Sequence, residues 1–258
     1  MAQCLASGAV STCDHYSGSR KSPASQSRCS QIDWLSLLLL DNAEDNLPAC
    51  IIDHITITAP DLISGAAYVK RVLGVEPQAG GEHARMGTHN MFVRLGPELF
   101  LEVIAPNPNA TRPARPRWFA LDTLMPVSQP RLSNWVVRTT DIQAAIGQTQ
   151  ENLGNIEAMS RGGNHWLITI PEDGSLPLQG IAPALIEWHT VAHPATGMHD
   201  QGMSLLKLEL LHPDTIRFSQ LMQELKVEGN IEIKPVLTGL APQLIAHIMT
   251  PFGLRILS

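Results

Sequence analysis

The sequence predicts an α+β fold built from tandem βαβββ modules with a shorter third βα-ββ unit at the C-terminus, and three observations carry that expectation. An alternating apolar run, IDHITIT from Ile52, is followed by LISGAAYVKRVLG, whose apolar residues recur at helical spacing and which stops at Gly74. A polar, Gly-rich piece, GGEHARMGTHN, then leads into two strand-like runs, NMFVRLG and ELFLEVIAP. The same order of patterns returns about 80 residues later, which is the signature of an internal repeat.

Taken in order, residues 1–48 come first and look unlike the rest. They are rich in Ser, Ala and Gly with no sustained period, and read as a disordered leader or an upstream extension. The apolar run Trp34–Leu40 is far shorter than the roughly 20 residues of a membrane span, and the acidic DNAEDN behind it is a poor flank for a signal segment. The first module occupies residues 49–130. Its tail is a Pro- and Arg-rich connector, NPNATRPARPRW, in which closely spaced prolines exclude helix and central strand. The stretch FALDTLMPVSQPRL after it has room for a helical turn.

The second module occupies residues 131–192. LSNWVVRTTDI resembles IDHITITAPDL, IQAAIGQTQENLG predicts a helix closing on Gly154, and APALIEWHT parallels ELFLEVIAP. On that alignment Trp135 stands in the place of His54 and Glu187 in the place of Glu102. The third unit, residues 203–258, is a looser echo: LLKLELLHPDT, the helical IRFSQLMQELKV, and the strands LIAHIMT and GLRILS. Lys207 there takes the position of His54 and Arg255 lies near that of Glu102, so this unit is expected to bind no metal.

Composition excludes several function classes. Apolar residues make up 44% of the 258, which places the chain among globular proteins. A net charge of −6 leaves no basic footprint, so nucleic acid is excluded as the main partner, and no segment is suited to a membrane. All four cysteines lie within the first 50 residues; the folded body is expected to hold no disulfide, which suits a cytoplasmic protein in a reducing compartment. No P-loop, phosphate-cradling glycine loop or nucleophile elbow is present, so nucleotide chemistry has no support.

The residues that bear chemistry are few. His54 and Glu102 each sit at the middle of a predicted strand. A lone histidine on an apolar strand is by default a core or surface residue, but an ionised carboxylate inside LFLEVIA is costly without a partner. Glu187 within LIEWH follows the same logic. His83 lies in the Gly-rich stretch, where a solvated histidine is ordinary, and His89 lies beside Gly87-Thr88, which suits a turn. Trp135, Trp166 and Trp188 read as core or as walls of a ligand pocket. Arg94 and Arg161 are candidates for holding a substrate carboxylate, whereas His189, His193 and His199 read as surface residues.

The DH of the first strand, the GGxHxxxGTxN stretch from Gly80 to Asn90 and the LE of the last strand resemble the vicinal oxygen chelate superfamily, in its glyoxalase-like branch. The resemblance covers residues 50–190 well and 204–258 loosely. It implies paired modules whose curved mixed sheets form a half-barrel around a cavity. It also implies a divalent metal, Zn, Ni, Fe or Mn, held by His54 and Glu102 from the first module and Glu187 from the second. An indole cannot ligate a metal, so Trp135 supplies nothing. Either His83 or His89 then completes the set, or three ligands leave positions open for water and substrate. If Glu187 is not a ligand, it is the candidate general base, and His83 serves as base or donor. The implied activity is that of a metal-dependent lyase, isomerase or dioxygenase acting on a small oxygen-rich molecule, by a monomer or homodimer. The alternative is a metal-free protein of the same fold that sequesters a small ligand.

Overall fold

In the computed structural model, residues 49–258 are described, Thr238 excepted. The expected leader, with Cys4, Cys13 and Cys29, lies outside the described residues. The alternating run becomes β1 (Cys50–Thr58). The Asp61 carboxylate then accepts from the Ser64 amide and caps α1 (Leu62–Leu73). That helix ends where Gly74 enters the left-handed region at φ 79°, its N–H returning to the Lys70 carbonyl. Strands β2 (Gln78–His83), β3 (Thr88–Gly96) and β4 (Leu99–Pro106) complete the first repeat.

The second repeat runs through β5 (Arg131–Arg138), α2 (Ile142–Ile146), β6 (Asn155–Arg161), β7 (Asn164–Ile170) and β8 (Ala184–Trp188). The helical pattern that reached Gly154 in the sequence stops at Ile146 instead. Gly147 takes the C-cap, and the polar side chains beyond it bond their own backbone: Thr149 Oγ1 accepts from the Glu151 amide and Asn152 Oδ1 from the Gly154 amide.

The strands of both repeats join one sheet in the order β2-β3-β4-β1-β5-β8-β7-β6, curved into a half-barrel. Within each repeat the first and last strands pair in parallel, β1 with β4 and β5 with β8, and β1 pairs antiparallel with β5 across the seam. Side chains alternate between faces with period two. Ile55, Ile57, Leu101, Val103, Trp135 and Leu185 therefore pack on the helix side. Ile104, Val136, Trp166, Ile168 and Ile186 pack on the inner side, around the cavity.

The third unit departs from the repeat. It comprises β9 (Ser204–Leu211), α3 (Thr215–Glu224), β10 (Val227–Glu228), β11 (Ile231–Lys234), β12 (Gln243–Thr250) and β13 (Gly253–Leu257). Its four-stranded sheet has the order β11-β9-β12-β13, and β10 pairs with β1 of the large sheet. Strand β11, from IEIK, is absent from the sequence reading, and Arg255 on β13 is separated from Lys207 on β9 by all of β12. The two do not reproduce the placement of His54 and Glu102. Among the described residues no helix is long and apolar enough to cross a membrane.

Candidate functional site

The site starts from an irregularity in β1. Ile52 faces Val137 of β5, but His54 faces Val136, so one extra residue is inserted at Asp53. Such a bulge re-aims side chains, and here it brings Asp53 and His54 together in the interior. Asp53 is fully buried, and its carboxylate accepts from His54 Nδ1 at 2.5 Å, Trp188 Nε1 at 2.8 Å and His193 Nε2 at 2.8 Å. Burial alone would raise its pKa, but the hydrogen bonds from His193 and His54 hold the carboxyl well below the usual range. In the neutral form of His54, Asp53 accepts the hydrogen on Nδ1 and the Nε2 lone pair points into the cavity. The ring is held by stacking on Phe100 at 4.5 Å.

Facing it, Glu102 Oε2 lies 3.9 Å from His54 Nε2. Its other oxygen accepts from Asn90 Nδ2 at 2.6 Å. Asn90 Oδ1 in turn accepts from the Gly81 amide at 2.9 Å and from Arg161 Nη1 at 3.0 Å. The same Nη1 donates to His83 Nε2 at 3.1 Å, and His83 Nδ1 meets Thr88 Oγ1 at 3.1 Å. Burial, reinforced by the Arg161 charge, pushes the His83 pKa down to about 3. His83 is thus a neutral ring whose two nitrogens are both engaged.

This network accounts for the GGxHxxxGTxN stretch position by position. A Cβ on Gly80 would stand 2.2 Å from Asn90 Oδ1, and one on Gly81 would stand 2.9 Å from Arg161 Cδ. Two glycines are what let Asn90 and Arg161 meet. Gly87, at φ 57°, makes the turn between β2 and β3. Thr88 and Asn90 point inward from β3.

The cavity has one polar and one apolar half. His54, His83, Asn90, Glu102 and Arg161 line one side, while Trp118, Trp166, Trp188, Ile168 and Ile186 line the other. Its volume is about 30 Å³, room for little more than a water, with Pro194 of the segment following β8 against it. Phe92, Arg161 and Pro194 also border an outer vestibule of about 390 Å³. Thr56 Oγ1 and both amide atoms of Asn134, opposite each other across β1 and β5, are buried without partners among the described residues. A larger cavity of about 420 Å³, near Leu240–Leu244 and Ser258, has no comparable acid–base group on its wall.

The structure separates several residues that the sequence grouped. His54 pairs with Phe100 in the first repeat as Val136 pairs with Ala184 in the second, so two residues further on Glu102 corresponds to Ile186. The true counterparts of His54 and Glu102 are therefore Val136 and Ile186. Trp135 and Glu187 are one residue out of step and belong to the opposite face. Trp135 donates its Nε1 to the Ile181 carbonyl at 2.7 Å. Glu187 accepts from the Ile142 amide at 2.8 Å, at the start of α2, and lies 2.6 Å from His189 Nε2. It does not join His54 and Glu102, either as a ligand or as a base. His89 lies between the inward positions Thr88 and Asn90 and is not on the cavity wall. Arg94 also stands apart, donating to the Gly96 carbonyl. His193, read from the sequence as a surface residue, is half-buried, with its side chain 6% exposed and bound to Asp53.

This donor set falls short of what the implied metal needs. His54 Nε2 and Glu102 Oε2 are two ligands on one side, with an ordered outer carboxylate, Asp53, behind the imidazole as metal sites require. The remaining positions are taken by Val136, Ile186 and the cationic Arg161. Among the described residues no three His, Cys, Asp or Glu are arranged to hold an ion, so the residues do not fit the three- or four-ligand set that the resemblance implied.

Comparison with known proteins is consistent with the fold. A family model described as glyoxalase-like domain matches residues 52–226. No curated protein matches the sequence. Among solved structures, a hypothetical protein from Staphylococcus aureus has a TM-score of 0.50 at 13% identity, covering 75% of this chain and 88% of that one. The Mn(II)-bound glyoxalase from Novosphingobium aromaticivorans has a TM-score of 0.47 at 9% identity and covers 81% of each chain. A methylmalonyl-CoA epimerase from Mycobacterium tuberculosis has a TM-score of 0.36 at 15% identity, covering 53% of this chain and 85% of that one.

Proposed function

The chain belongs to the glyoxalase-like domain family, and we propose that it takes a small oxygen-bearing molecule into its half-barrel cavity and holds an O–H or N–H group of that molecule between His54 and Glu102. One observation carries this. With His54 neutral, its Nε2 and Glu102 Oε2 are acceptors 3.9 Å apart, both buried, with no donor between them among the described residues. Two buried lone pairs facing each other are costly until a donor or a cation enters. A ligand hydroxyl supplies that donor, and the aromatic walls of the second repeat take its flat apolar body.

Metal dependence, which the resemblance implied, finds only two of its ligands among the described residues. The chain's own groups suffice for binding and orientation. Asp53 fixes the His54 tautomer, Asn90 fixes the rotation of the Glu102 carboxylate, and Pro194 narrows the entrance against water. The Asp53–His54 pair also supports a second reading, in which Nε2 takes a proton from a bound substrate as a general base, making the protein an acid–base isomerase or lyase. A reducing cytosol is the proposed compartment; Cys50 is free and buried.

Catechol, a flat molecule with two neighbouring O–H groups, is a suitable probe. Tryptophan fluorescence should report its saturable binding to the wild type, weakened about tenfold or more in Glu102→Gln and His54→Phe. Absence of binding to the wild type, or equal binding to all three proteins, would sink the proposal.

A further inference from the structure

We infer that Arg161 is the anchor for a carboxylate, and that the molecule entering the cavity is a small planar hydroxy-carboxylic acid. This inference rests on the reading of the His54–Glu102 cavity as a small-molecule site and names its ligand class. Five arginines of the two repeats and the third unit have acidic partners: Arg85 and Arg115 with Glu157, Arg117 with Asp122, Arg138 with Glu98, Arg217 with Glu151. Arg161 has none among the described residues. It spends only Nη1, on the neutral acceptors Asn90 Oδ1 and His83 Nε2. Its Nε and Nη2, the two parallel donors of a guanidinium fork, have no partner among the described residues.

That fork lies where a ligand must pass. Arg161 borders both the inner cavity and the outer vestibule, and the missing Cβ of Gly81 makes room for its side chain. Its guanidinium stands 5.2 Å from the Phe92 ring centroid, which fixes its plane. Desolvation lowers its pKa while the charge of Glu102 raises it, so the site holds a partly desolvated cation without a counter-ion in contact. Paired parallel donors match the two oxygens of a carboxylate. A phosphate dianion is a poorer fit, because Arg161 is a single cation and Glu102 is close by. Asn90 bridges Arg161 and Glu102 with one amide group. A ligand that meets both Arg161 and the His54–Glu102 pair carries a hydroxyl as well as a carboxylate.

Two probes separate this claim from the one beneath it: 2-hydroxybenzoate and its neutral isostere 2-hydroxybenzamide, titrated against the full chain by calorimetry. Wild-type protein should bind the carboxylate about tenfold or more tightly than the amide. Arg161→Gln should bring that ratio to near one. Arg161→Lys, which keeps charge without the fork, should recover only part of the preference. Equal wild-type affinity for the two probes overturns the carboxylate anchor and leaves the cavity reading standing, and this comparison needs no variant to fold. Binding of neither probe overturns both.

Discussion

His54 Nε2 and Glu102 Oε2 face each other across 3.9 Å, and in the neutral tautomer whose Nδ1 hydrogen Asp53 accepts, neither atom offers the other a proton. An amide in place of the carboxylate would supply the missing donor. Glu102→Gln is therefore expected to be as stable as the wild type or more so, by about 1 kcal/mol, while losing catechol binding. Such a split between stability and function marks a functional group. Chemical denaturation of both proteins checks it, and a clear loss of stability in the variant would mean that Glu102 serves the fold.

Asp53 is the structural pivot. Its carboxylate receives three N–H groups, from His54, His193 and Trp188. Asn in its place would offer an NH₂ group to at least one of those donors. Asp53→Asn is expected to cost about 3 kcal/mol or more, measured by urea unfolding. A loss below about 1 kcal/mol would show that the three donors find partners elsewhere.

Stability should also depend on His83. In the unfolded chain its pKa is the ordinary 6.5, whereas in the folded protein it is about 3. The folded state therefore binds its proton less well. Its contribution is complete above pH 6.5 and is lost as pH falls toward 3. The slope approaches about 1.4 kcal/mol per pH unit within that window. Asp53, whose pKa is lowered from 3.8, acts in the same direction only at lower pH. His83→Gln should flatten the curve between about pH 6 and pH 4; His89, lowered by burial as well, leaves a remnant. An unchanged slope would show that His83 is protonated in the folded state.

The segment after β8 is pinned by His193, whose Nε2 donates to Asp53 and whose Nδ1 accepts from the Ala195 amide at 3.2 Å. His193→Ala should raise hydrogen exchange at Ala195 and its neighbours and speed probe association, because the inner cavity is too small for a ligand until Pro194 moves. Equal exchange and equal association rates in variant and wild type would show that access lies elsewhere.

Much of the fold could be read from residue patterns, because β1, α1, β3 and β4 carry clean periods and α1 has both of its stop signals. His54 and Glu102 were legible for the same reason, as was the Gly80–Asn90 stretch. The faces of the second repeat were not. Trp135 and Glu187 differ from the inward positions Val136 and Ile186 by one residue, and with period two one residue reverses the face. The bulge at Asp53, which creates the His54 tautomer, leaves no mark in composition. The roles of Arg161 and His193 depend on contacts 71 residues from Asn90 and 140 residues from Asp53, beyond the reach of local pattern. Asp53 itself was in view as part of the DH pair, and a carboxylate next to a candidate ligand was the available signal for it.

The most direct measurement is the metal content of protein purified without a metal-affinity tag, beside a His54→Ala, Glu102→Ala double variant, by mass spectrometry after dialysis. With Val136 and Ile186 where the second repeat would supply ligands, both proteins should hold equally little zinc, nickel, iron or manganese. Close to one ion per chain in the wild type, absent from the double variant, would contradict the metal-free reading of the cavity.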